Sequence, residues 1–208
     1  MSATRCLSVA GMTVLSLVSM MFPGCGGSHS GSSLSGSFTQ SATALAPRLV
    51  KIQQKTASGG RVVVDVVIGG PDMTLDMFAF AFDVKIGDGT VAKFVAGSAV
   101  AGNALVASGG QTIQANAAPS GADPTDIVVG VSKLGGPPGN GISGNVATVV
   151  ELSFDMLKAG QTTLTITGSG ANPPTCLNSQ SPPQPIPSIT FDPASGAFNG
   201  VSTGGGGY

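Results

Sequence analysis

Few side chains in this chain could do chemistry, and their placement works against it. Among 208 residues there is one glutamate (Glu151), one histidine (His29), one tyrosine (Tyr208) and no tryptophan. A Ser-His-Asp relay would have to use His29, which lies in a Ser/Gly-rich stretch without apolar periodicity. A glycosidase pair needs two carboxylates across a cleft. Glu151 and Asp155 share one face of an expected strand, roughly 13 Å apart along it, which suits neither usual geometry. Asp72, Asp76, Asp83, Asp88 and Asp123 offer the hard oxygen ligands that calcium takes. None follows the spacing of an EF-hand loop, and solvated loop carboxylates are the simpler reading. A zinc site lacks His and Cys ligands. The glycine-rich run at 135–144, GGPPGNGISG, is not framed by a strand and a helix as a phosphate loop requires. The inventory predicts a non-catalytic protein with no cofactor and no metal.

Composition narrows the partners. Charged residues make up 9% of the chain, against about 25% in an average soluble domain. The formal net charge is −1, and removal of Arg5 with the first 24 residues makes it −2. Nothing here would neutralise a phosphate backbone or a lipid headgroup layer, so neither nucleic acid nor direct membrane binding through basic residues is expected. A sugar platform usually needs exposed Trp or Tyr. With no Trp, and the only Tyr ending a glycine tail, polysaccharide binding is the second reading, a structural envelope lipoprotein the third, and the alternating phenylalanines are assigned to the core.

The first 24 residues read as an export signal. Arg5 supplies the positive start, and Leu7 to Phe22 form an apolar stretch without charge. About 20 residues are needed to span a bilayer, so the stretch fits a signal core better. The sequence Phe22-Pro23-Gly24-Cys25 resembles a bacterial lipobox, which implies lipidation of Cys25 and membrane attachment through that lipid alone. Gly26 follows in place of an inner-membrane retention Asp, so the resemblance implies an exported protein at the outer membrane or cell surface. A plain signal peptide cleaved nearby and an uncleaved anchor are the alternatives. With Cys6 removed and Cys25 lipidated, Cys176 has no partner within the chain and reads as a lone thiol in a Pro-rich loop, with an intermolecular disulfide as the alternative.

Residues 25–47 read as a flexible Ser/Gly-rich spacer. From Leu49 onward the apolar period becomes two, as strands buried on one side require. Val62, Val64, Val66 and Ile68 share a face; so do Phe78, Phe80, Phe82 and Val84, with Ala79, Ala81, Asp83 and Lys85 opposite. Ile127, Val129 and Val131 align, as do Leu164 and Ile166. The run from Val146 to Met156 places its even-numbered residues inward and Ala147, Val149, Glu151, Ser153 and Asp155 outward. Weaker strands are expected near 49–54, 93–99, 112–115, 186–191 and 197–201, and the Pro-rich stretch 172–187 as an extended loop. Gly/Pro turns separate these runs, and no helical pattern stands out, so the fold class is an all-β sandwich over residues 48–202 with a Gly-rich tail at 203–208.

Two blocks resemble the cohesin family. Met77–Ile86, with its Phe-Ala-Phe-Ala-Phe-Asp run, resembles the cohesin strand of alternating aromatics. Gly141-Ile142-Ser143-Gly144, leading into Ala147-Thr148-Val149-Val150, resembles the cohesin turn before an Ala-Thr-hydrophobic strand. The resemblance implies a jelly-roll sandwich of about nine strands and a role in binding dockerin-like proteins, in assemblies that degrade polysaccharide. The family's aromatic-Asp-Pro turn is here Phe82-Asp83-Val84, and polar contact positions ahead of the aromatic strand fall on Leu75 and Met77. Apolar residues expected to face solvent mark contact sites, so Leu75, Met77 and Asp83 are the partner-binding residues this reading expects.

Overall fold

The computed structural model describes residues 33–168 and 172–204; Cys25, His29 and the stretch expected to be an export signal lie outside them. Among the described residues all regular structure is β. In chain order the strands are β1 (Ser33–Thr39), β2 (Leu49–Ser58), β3 (Arg61–Gly69), β4 (Asp72–Met77), β5 (Ala79–Ile86), β6 (Ala92–Phe94), β7 (Val100–Ala101) and β8 (Thr112–Ser120). They continue as β9 (Asp123–Leu134), β10 (Asn140–Ile142), β11 (Val146–Met156), β12 (Gly160–Thr167), β13 (Thr175–Leu177), β14 (Thr190–Phe191) and β15 (Gly196–Thr203).

Two sheets face each other. The first, called here the aromatic sheet, runs β1-β15-β12-β5-β9-β8, with β13 also on β5. The second, the valine sheet, runs β14-β2-β3-β11-β6, with β7 beside β11. A short ribbon of β4 and β10 closes one end. The fold class is thus an all-β sandwich, as the period-two pattern predicts.

The inner faces carry the predicted residues. Val62, Val64, Val66 and Ile68 of β3 are fully buried, and they meet Phe80, Phe82, Ile127, Val129 and Leu164 from the other sheet in one core. Phenyl rings staple the sheets together: Phe154 of β11 stands 4.9 Å from Phe198 of β15 and 5.7 Å from Phe94, and Phe198 stands 5.1 Å from Phe38. Tilted and edge contacts at these separations add about 0.5–1.5 kcal/mol each beyond burial.

The strand pattern breaks at two points. On β11, Val149 and Val150 are both buried, and the pairing with β3 shifts between Thr148 and Val150. A bulge absorbs one residue there and reverses the alternation. Ala147 and Val149 therefore point inward and Val146 is exposed, opposite to the simple reading of this strand. The second break lies at Phe78 and governs the candidate site.

The stretch expected to be a flexible spacer is largely part of the fold. Strand β1 pairs with β15 residue for residue, from Ser33 opposite Thr203 to Thr39 opposite Ala197. Leu34, Gly36 and Phe38 turn toward the core, and the serines turn away. Gly36 is needed because a Cβ there would lie 2.5 Å from Met156 Cγ. Beyond β1 the chain is strapped down. The Lys51 ammonium, with the residue only 1% exposed, donates to the carbonyls of Ser41 and Thr43. Asp192 accepts from the hydroxyls of Ser41 (2.5 Å) and Thr43 (3.2 Å). Burial pushes the Asp192 carboxyl up, but those hydrogen bonds, the Ala194 amide and the charge of Lys51 outweigh it and hold it below the usual range. Among the described residues the paired strands thus run from Ser33 to Thr203, into the stretches expected as spacer and tail.

Candidate interaction faces

The three residues expected to meet a partner are all shielded. Leu75 is 7% exposed, Met77 0% and Asp83 2%. The physical reason is the break at Phe78. Strand β4 pairs with β10, and β5 pairs with β9 and β12, so one continuous strand becomes two. Between them Phe78 N donates to Leu177 O (2.8 Å), and Phe78 O accepts from Lys133 N (3.1 Å). Leu75 and Met77 face inward before the break, while Met73 stays exposed, and even-numbered residues face inward after it. Leu75 and Met77 therefore enter the core with Phe80 and Phe82, while Phe78 is only half-buried. Asp83 does lie opposite Phe82, but it is covered.

Most of the candidate calcium ligands have other tasks. Asp72, Asp88 and Asp123 each begin an Asp-x-Thr turn and accept both the amide and the hydroxyl of Thr74, Thr90 and Thr125, at 2.6–3.0 Å. Asp72 also takes the Arg48 guanidinium, and Asp123 takes the Lys85 ammonium. The Thr74 hydrogen bond, with help from Arg48, holds the Asp72 carboxyl below the usual carboxylate range. Thr90 does the same for Asp88. Lys85, then Thr125, lowers Asp123 to about 2. Asp76 accepts the amide and hydroxyl of Ser179. Cys176 is on β13 rather than in a loop and is 1% exposed; burial and the charge of Asp76 push its thiol far above the ordinary value. That shielding leaves the thiol no route to an intermolecular disulfide in the folded domain.

Glu151 and Asp155 lie on the outward side of the valine sheet, where charges alternate. Lys55 pairs with Glu151 and lies 4.0 Å from Asp65, and Arg61 grips Asp155 through two bonds of 2.8 and 3.0 Å. Lys93 stands beside Asp155 on β6. Burial raises the Asp65 carboxyl; Lys55 opposes and Glu151 reinforces that shift. This is an open lattice of matched charges, with no cleft between the carboxylates.

The outward side of the aromatic sheet is the reverse. Its registers place Ala79, Ser132 and Gln114 in one row, Ala81, Gly130 and Asn116 in the next, and Asp83, Val128 and Ala118 in a third. Val128 is 44% exposed, and the space above Gly130 is open. Apart from the covered Asp83, charge enters only at one margin, where Lys85, Asp123 and Asp126 sit. Strand β8, which bounds this face and ends the sheet, carries no charged residue from Thr112 to Ser120. Sequence reasoning missed this surface. The available signals were the uncharged alternation of β8 and a lone glycine inside the valine-rich β9.

The sandwich also has two unlike ends. Ser33 and Thr203 meet at one, beside the short turns at 58–61 and 156–160. The other collects the longer connections: Gly70 N donates to Asn145 O (2.9 Å), and Met77 faces Asn140.

Fold and faces together describe a β-sandwich with a neutral outward sheet. No family model matches the chain, and no curated protein matches it. Among solved structures it is similar to the second type II cohesin module of the adaptor ScaA scaffoldin of Acetivibrio cellulolyticus, at 16% identity and TM-score 0.45, over 69% of this chain and 84% of that one. It is likewise similar to a chain of the Coh3ScaB-XDoc_M1ScaA type II cohesin-X-dockerin complex from the same organism, at 13% identity and TM-score 0.45, over 76% of this chain and 98% of that one. A type II cohesin domain from that organism's cellulosome aligns at 14% identity and TM-score 0.45, over 76% and 94%.

Proposed function

We propose that this chain is a non-catalytic binding module that captures a protein partner on the outward face of β5, β9 and β8. The observation that carries the reading is the near absence of charge from that face, with Val128 and the open Gly130 at its centre. Interface cores are depleted in charge, because a charge buried against a partner must be desolvated. A flat face of Ala, Gly, Asn, Gln and Val needs little desolvation and admits close approach. The sequence resemblance to cohesins supplies the partner class, a dockerin-type module, and a link to polysaccharide degradation.

The reading extends to location. Export and a lipid on Cys25 would tether the chain just ahead of Ser33. Ser33 and Thr203 share one end of the sandwich, so a tether there directs the opposite end away from the membrane. Cys25→Ser should release the protein from the membrane fraction, and continued membrane association would rule out that lipid.

The test of the binding face is direct. Gly130→Arg plants a long cation where nothing stands within 4 Å, so the fold should tolerate it. Titration calorimetry of the mature chain with dockerin-type modules from the same genome should show binding that this variant weakens by about a hundredfold or more, the scale of an interface hot spot. Undiminished affinity would overturn the assignment of the face.

A further inference from the structure

We propose that the cleft between Arg48, β4 and the 178–188 segment is a second site, one that takes a neutral saccharide. It lies at the end opposite the described termini, has a volume of about 310 Å³, and is walled by Arg48, Thr74 and Asp76 on one side and Asn178, Gln180 and Ser188 on the other. Small-molecule pockets start at roughly 300 Å³, so one ring-sized ligand is the scale of occupant.

The walls are preorganised. Arg48 holds a left-handed backbone, φ 65°, which is uncommon for a residue with a side chain. Its amide donates to Gly69 O (2.9 Å) and its carbonyl accepts from Thr190 N (3.0 Å), so the turn is fixed from both sides. The facing segment is rich in proline yet tied. Asn178 Oδ1 accepts from the amides of Gln180 (3.1 Å) and Gln184 (2.9 Å), Asn178 N donates to Gln184 O (2.8 Å), and Ile186 N donates to Cys176 O (2.8 Å). Strained backbone over-determined by its surroundings is found where ligands are held.

The chemistry of the cleft selects the ligand. Both charged groups in its wall are matched: Arg48 grips Asp72 behind it, and Asp76 binds Ser179 and lies near the ammonium of buried Lys133. The site is therefore balanced in charge and holds no surplus for an anion or a cation. What it leaves unused is neutral. The Gln180 carboxamide, the Ser188 hydroxyl and Asn178 Nδ2 make no hydrogen bond among the described residues. An amide that both donates and accepts matches vicinal hydroxyls, which do the same. Pro185, Ile186 and Pro187 add apolar surface for the C–H side of a sugar ring. The cleft has no aromatic lining, so single rings should bind weakly, with Kd on the order of 1 mM.

This inference is separate from the protein-docking face and can fail without it. The experiment is an amide NMR titration of the ¹⁵N-labelled mature chain with glucose, xylose, galactose, N-acetylglucosamine and the β-1,4-linked oligomers of glucose and xylose. The expected result is a saturable shift of the Gln180 and Asn178 side-chain amides with at least one probe. Q180A and S188A, both in exposed or half-buried loop positions, should each weaken it by about tenfold with the rest of the spectrum unchanged. Gly130→Arg should leave it intact. Absence of a saturable shift with every probe would overturn the proposal. So would a shift that survives in the Q180A/S188A double variant.

Discussion

The two sheets bury similar aliphatic faces against each other and present opposite surfaces to solvent. The valine sheet shows Lys55, Asp65, Glu151, Arg61, Asp155 and Lys93, interlocked by sign. The aromatic sheet shows alanines, a glycine, amides and Val128, with charge confined to one margin. A charged lattice loses solvation when covered, and its Asp65 already carries a desolvation cost. A neutral face has little to lose. The difference separates a surface kept in water from one that tolerates a partner, although both are open faces of β-sheet.

The comparison is sharpest in partner capture. Gln53→Arg, placed in the lattice opposite Asp65, should leave affinity for a dockerin-type module within about twofold, as for residues outside a hot spot. The same cation at position 130 should weaken it by about a hundredfold or more. Equal losses at both positions would erase the distinction between the faces. A second contrast lies within the valine sheet, whose upper part is covered by the Ser41–Thr43 strap. Asp192→Ala takes away the acceptor of both strap hydroxyls and the charge near Lys51, which keeps its carbonyl acceptors, and should cost about 1–3 kcal/mol in urea unfolding. A change under about 0.5 kcal/mol, the range of ordinary surface substitutions, would mean the strap adds nothing to stability.

Acid titration separates the faces further. Asp123, at the margin of the aromatic sheet, has a folded pKa of about 2, below its ordinary 3.8. Its contribution is therefore full above pH 4 and lost as pH falls toward 2. Lys85→Ala should flatten that acid-limb loss when Tm is followed against pH. Asp65 has the opposite sign. Burial raises its folded pKa, so its ionised form opposes folding at neutral pH and its protonation in mild acid favours it. Asp65→Asn should raise Tm slightly at pH 7 and remove that mild-acid gain; a lower Tm at pH 7 would show that the Lys55 attraction outweighs burial.

Much of the fold was legible because a half-buried strand writes its period into the chain. The residues assigned inward at Val62 to Ile68, Phe80 to Val84, Ile127 to Val131 and Leu164 to Ile166 are the buried ones. Strand β1 was hidden by composition: Leu34, Gly36 and Phe38 alternate with Ser and Thr, but serine and glycine also fill flexible linkers. The candidate site at Leu75 and Met77 was misplaced because alternation looks regular on each side of Phe78. Only the change of pairing partner, from β10 to β9, reveals the reversed phase. The neutral face was not legible, since Ala81, Gly130 and Asn116 are far apart in the chain and form a row only through register.

By itself the amino-acid order determined that the chain forms one-sided strands, which residues of most of them turn inward, and that it offers few groups for catalysis. Those properties are local, set by neighbours two positions apart and by residue type. The tertiary structure alone decided where the phase slips, which outward face is left neutral, that Lys51 and Asp192 bind the strap, and that the cleft gathers Arg48 with Gln180 and Ser188. Each of these depends on non-local pairing, in which a shift of one residue exchanges the inside and the outside of a strand.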